Sequence, residues 1–153
     1  MSIPRIIQVT LLGAAAMVFA QPVFCQHPDL TGTYRLDVAA STFGSMPLPD
    51  SGTMTISNES HKRMRIELVL KDAQGEHSTE AEWKTDDRLH PVVGSDSGSV
   101  LAKWNGPVLT GKRVTQGSVD EFQLVPGTGE GGSTLIEHIQ SSQGNMTLVW
   151  RRQ

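Results

Sequence analysis

A chain of 153 residues with 13 Lys and Arg against 16 Asp and Glu carries a net charge of −3. That balance excludes the basic footprint of a nucleic-acid binder and the polybasic patch that docks on anionic membranes. Its one cysteine, Cys25, rules out an intrachain disulfide. Stability must then come from a buried core, which a single domain of this size can build.

The first elements in chain order read as a targeting segment. Met1 to Arg5 supply a positive start, Ile6 to Ala20 an apolar run, and Val18-Phe19-Ala20 a small-x-small cleavage site. The run is short for a bilayer span. A signal peptide over residues 1–20 is therefore expected, with cleavage as late as residue 25 as the alternative. The mature protein is expected to be exported, periplasmic or extracellular, with no membrane contact after cleavage. Phe24 is too large to precede a lipid-modified cysteine, which argues against Cys25 as an anchor.

From residue 27 onward the apolar residues alternate, the signature of half-buried strands. Met64, Ile66, Leu68 and Leu70 share one face, against Arg63, Arg65 and Glu67 on the other. His77, Thr79, Ala81 and Trp83 oppose Glu76, Glu80, Glu82 and Lys84. Val100, Ala102 and Trp104 form a third such face, and Met146, Leu148 and Trp150 a fourth. Nine strands are predicted, at 31–37, 52–58, 63–71, 76–85, 99–105, 108–115, 118–125, 133–141 and 144–152. Asn105-Gly106 predicts a tight hairpin with both residues at positive φ. Gln116-Gly117, Gly127 to Gly132 and Gln143-Gly144-Asn145 mark further returns. Short connections imply antiparallel neighbours in a meander. An open meander of this length leaves exposed edges, so the sheet is expected to close into an up-and-down barrel of eight to ten strands, filling residues 27–153 as one domain. A two-sheet sandwich is the alternative. The long connections 38–51 and 86–98 are read as loops.

Several chemical motifs dissolve on inspection. Gly127-Thr128-Gly129-Glu130-Gly131-Gly132 matches the dinucleotide fingerprint, but Ser133 to Gln140 reads as a strand where the chemistry needs a helix. Gly94 to Gly98 lacks the strand-turn-helix setting of a nucleophile elbow. The five histidines show no ligand-like spacing, so no metal and no cofactor is expected. His77 and Thr79 lie on the face of Trp83, and His138 shares a face with Thr134 and Ile136. If these faces point inward, His77, Thr79, Trp83, Trp104 and His138 would place a few polar groups on an apolar interior wall, as an orienting ligand site requires.

Gly32-Thr33-Tyr34, after Pro28-Asp29-Leu30, resembles the Gly-x-Trp opening of lipocalins and their calycin relatives, with Tyr34 in place of Trp. The resemblance implies that Gly32 and Tyr34 close the barrel base, with a basic residue near the last strand, Arg151 or Arg152, packed on the ring; Arg151 is the expected one. "LTGTYRLDVAASTFG", "MPLPDS", "HPVVGS" and "MTLVWRR" together resemble small secreted bacterial proteins of lipocalin-like type without assigned activity. The expected function is non-enzymatic binding of a small apolar molecule in the barrel. The rivals are a protein partner, such as an enzyme, engaged through the 44–51 or 94–99 loops, and a barrel enzyme using His77 or His138 with a carboxylate.

Overall fold

The computed structural model describes residues 27–60, 62–94, 98–129 and 132–153. Residues 1–26, on which the expected signal peptide falls, and residues 95–97 lie outside the described residues. Among these residues eleven strands form one antiparallel sheet: β1 (Gly32–Leu36), β2 (Ser51–Ser60), β3 (Arg63–Asp72), β4 (Gly75–Lys84), β5 (Leu89–Pro91), β6 (Val93–Gly94), β7 (Ser99–Asn105), β8 (Val108–Thr115), β9 (Ser118–Gly129), β10 (Gly132–Ser141) and β11 (Gly144–Arg152). Their order around the sheet is β5-β7-β8-β9-β10-β11-β1-β2-β3-β4-β6. The nine long strands are those the alternation predicts.

The closure comes from residues 89–94, inside the connection 86–98 that the alternation predicts as loop. β5 pairs with β7 through Leu89↔Leu101 and Pro91↔Ser99. One residue later β6 pairs with β4 through Ala81↔Gly94 and Glu82↔Val93. The two ends of the sheet are therefore joined covalently at Val92, whose N–H donates to Gly98 O at 2.9 Å. The result is a nearly closed up-and-down barrel.

One hairpin differs from expectation by a residue. Asn105 pairs with Val108, so the turn is Gly106-Pro107. Gly106 takes φ 59°, whereas Asn105 stays extended. Pro107 lacks an N–H and has its φ fixed, and a turn position tolerates both.

The meander puts the turns at 73–74, 116–117 and 142–143 at one end, the mouth. The turn at 106–107 and the chain's exit after Arg152 lie at the other, the base. Alternate residues fill the interior: Leu36, Met54, Ile56, Met64, Ile66, Ala81, Val100, Ala102, Leu109, Leu124, Leu135, Leu148 and Trp150 are all buried. Each fully buried large apolar side chain contributes about 1.5–3 kcal/mol.

Candidate functional site

The base is closed by the lead-in to β1. Leu30 is buried, and Tyr34 donates its hydroxyl to Leu30 O at 2.9 Å. Arg152 lies over the Tyr34 ring, 5.9 Å from its centroid, and donates to Thr31 O. Gly32 is required here, because at φ 147° a Cβ would stand 2.7 Å from Arg152 Nε. Arg151 does something else. Its guanidinium bridges to Asp37 Oδ2 at 2.6 and 2.7 Å on the outer side, so the basic residue on Tyr34 is Arg152. Period 2 explains this correction, since residue 152 shares the face of Trp150 and residue 151 does not. The Arg151 hydrogen bond, with help from the Ala40 N–H, holds the Asp37 carboxyl below its ordinary pKa.

Trp104 belongs to this base. It is half-buried, with the His27 ring stacked on it at 4.2 Å. It does not join the other residues proposed for a ligand wall.

Trp83 does lie in the interior, packed on Phe122 of β9 with ring centroids 4.7 Å apart. It is 6% exposed, and its Nε1–H is buried without a hydrogen-bond partner among the described residues. Leaving such a donor unsatisfied costs about 1–3 kcal/mol. Trp150, 0% exposed, instead donates its Nε1–H to Glu137 Oε2 at 3.1 Å. Burial raises the Glu137 pKa, opposed by the Trp150 hydrogen bond and the nearby Arg113 charge.

On β10 the face of His138, Thr134 and Ile136 does not point inward, contrary to the condition on which His138 was to join the ligand wall. Leu135 is buried beside Trp150, and its face continues through Glu137 and Ile139. His138 therefore points outward and is exposed, sharing a 3.1 Å hydrogen bond with Thr147 Oγ1. Inward on this wall stand the half-buried Glu137 and the buried Phe122, neither of which the sequence pattern marks as a site residue. Leu135 and Ile139 flank Glu137 on one face, but Ile136 on the opposite face leaves the alternation undecided.

The mouth is apolar. Leu68, Leu70, Ile139 and Met46 pack against the core while remaining only partly buried, and Phe43 turns in beside them. Met46 and Phe43 come from the Pro-rich connection expected to be a free loop; Leu48 alone of its large apolar residues projects, 66% exposed. Thr79 and His77 lie on the inward face of β4 but beyond the core, both exposed. His77 Nε2 stands 3.5 Å from Asp72 Oδ1. A tighter pair forms at the closure, where His90 Nε2 lies 2.8 Å from Asp86 Oδ1.

A concavity of 370 Å³ lies toward the mouth end of the β8–β11 wall. The cross-strand row Gly111, Phe122, Ile139 and Met146 runs through it, flanked by polar residues including Gln123, His138 and Thr147. All its lining residues belong to four adjacent strands, so it rests against one wall. No group of three or more potential metal ligands occurs among the described residues.

In fold the chain is a nearly closed, antiparallel up-and-down β-barrel of calycin-like form. Among solved structures it is similar to the wild-type fluorescent protein UnaG, with a TM-score of 0.64 at 16% identity over 81% of this chain and 97% of that one. It is also similar to the Echinococcus granulosus fatty-acid-binding protein 1, with a TM-score of 0.59 at 13% identity over 80% of this chain and 96% of that one. No protein-family model and no curated protein matches the sequence.

Proposed function

We propose that the protein is an exported, non-enzymatic carrier of a small, mostly apolar molecule, taken up through the mouth of the barrel. The observation that carries this reading is the mouth itself. Leu68, Leu70, Ile139 and Met46 present partly exposed apolar surface continuous with the core, where a barrel filled for stability alone would bury or polar-cap it. The similarity to a fatty-acid-binding protein supports the same reading at the level of fold. The export rests on the charged and apolar pattern of residues 1–20.

The test is a fluorescence titration with 1-aminoanthracene, a neutral apolar probe. The wild-type protein should saturate, and Leu70→Asp, with its β-sheet circular dichroism intact, should bind at least about tenfold more weakly, since a carboxylate at the mouth must be desolvated. A linear, unsaturable response from the wild-type protein would refute the reading.

A further inference from the structure

We infer that the molecule held in the barrel is compact, with an apolar body of about eight to twelve carbon-sized groups, seated in the 370 Å³ concavity against the β8–β11 wall. A long-chain lipid is too large for that seat. The inference rests on the proposed binding function and narrows it to a size class of ligand.

The concavity lies inside the barrel. The inner side of a barrel wall is its concave one, and the row running through the concavity faces inward. Gly111 pairs with Ala102, which is 0% exposed, and Phe122, Ile139 and Met146 continue the row across β9, β10 and β11. The space exists because this row is one side chain short. The Phe122 ring occupies the place that a Gly111 side chain would take, since a Cβ there would stand 2.4 Å from the ring. One row nearer the base, Leu109, Leu124 and Leu148 are buried and form the floor. One row nearer the mouth, Arg113 pairs with Asp120 on the inward face of the buried Val100. Those charges mark the rim, where an apolar body ends and a polar end begins.

Two magnitudes set the size. A volume of 370 Å³ is near the lower end of ligand pockets, about 300–1,000 Å³. It holds about twelve groups of water size at about 30 Å³ each, and a methylene is of that size. The depth agrees. From Gly111 to the end of β8 at Thr115 the wall rises four residues, and from Ile139 to the end of β10 at Ser141 two, or about 13 and 7 Å. An extended chain advances about 1.2 Å per bond, since the three bonds of a residue span about 3.5 Å, so this depth covers roughly six to eleven bonds. Further methylenes stay in water and add nothing to affinity.

The experiment is displacement of 1-aminoanthracene from the full mature protein by straight-chain primary alcohols, hexanol to tetradecanol, each below its solubility limit. Affinity should rise about fourfold per methylene up to about ten to twelve carbons. From dodecanol to tetradecanol it should gain less than about twofold, against about sixteenfold for continued burial. Ile139→Trp fills the concavity and should bring the plateau about two carbons earlier, whereas Ile139→Ala enlarges it and should delay the plateau by about two. Circular dichroism checks the folding of both variants, and the wild-type series stands without them. A fourfold gain per methylene that continues through tetradecanol would overturn the inference, as would a plateau that neither folded variant moves. If the probe saturates but no alcohol displaces it, the inference falls and the proposed function stands. If the probe itself does not bind, both fall.

Discussion

Replacing Tyr34 with alanine removes three things at once. The ring is 2% exposed, its hydroxyl donates to Leu30 O at 2.9 Å, and its face carries the Arg152 guanidinium. Truncating a buried aromatic to alanine costs about 3–5 kcal/mol, most of it lost packing and a cavity. The Arg152 contact is solvent-accessible and adds about 0.5–1 kcal/mol. For a domain of this size the sum corresponds to a melting temperature lower by roughly 10–20 °C. Tyr34→Phe isolates the hydroxyl. It keeps the ring and leaves Leu30 O without its donor, for a loss of about 1–2 kcal/mol. Differential scanning calorimetry on the three proteins should rank them wild type, then Phe, then Ala, with the larger gap at the second step. A Tyr34→Ala melting temperature within about 3 °C of the wild-type value would refute the assignment of Tyr34 as the closing residue of the base.

Glu137→Gln should raise the urea midpoint at pH 7.5. The folded protein holds the Glu137 proton to higher pH than the unfolded chain does, so stability falls as pH rises from the ordinary glutamate value through the raised folded one. Gln keeps the acceptor for Trp150 and removes that slope, and an unchanged pH profile would contradict the raised Glu137 pKa. Asp37 works in the opposite sense: its lowered pKa contributes stability that is lost as pH falls through the folded value, and Arg151→Ala should flatten that acid limb of the profile. Gly111→Ala places a Cβ 2.3 Å from Leu101 O and 2.4 Å from the Phe122 ring. It should cost about 1–3 kcal/mol by overpacking, measured by chemical denaturation. Arg152→Ala should lower the melting temperature by more than Arg151→Gln, since only Arg152 braces the base; the reverse order would restore Arg151 to that role.

The strands were legible because burial on one face imposes period 2, and β3, β7 and β11 each set three or four apolar residues on one face against a single one on the other. Strand β10 was not, because Thr134-Leu135-Ile136-Glu137-His138-Ile139 places an apolar residue on both faces. The deciding fact is a hydrogen bond from Trp150 that lets Glu137 turn inward, and such a tertiary contact leaves no trace in alternation. The closure at 89–94 was hidden for a related reason. Two strands of three and two residues are too short to show a period, and they exist because β4 and β7 offer unpaired edges. His77 and Thr79 were placed on the correct face, but a face does not tell how far a hairpin extends beyond the core. Arg152 could have been separated from Arg151 by parity with Trp150 alone.

The central claim is that the barrel holds a small molecule, and native mass spectrometry of the protein isolated from its natural source tests it most directly. The account predicts a mass above that of the polypeptide which disappears on denaturation, the difference corresponding to a small, mostly apolar molecule. A bare polypeptide mass under both conditions, in protein that also fails to take up added 1-aminoanthracene, would contradict it.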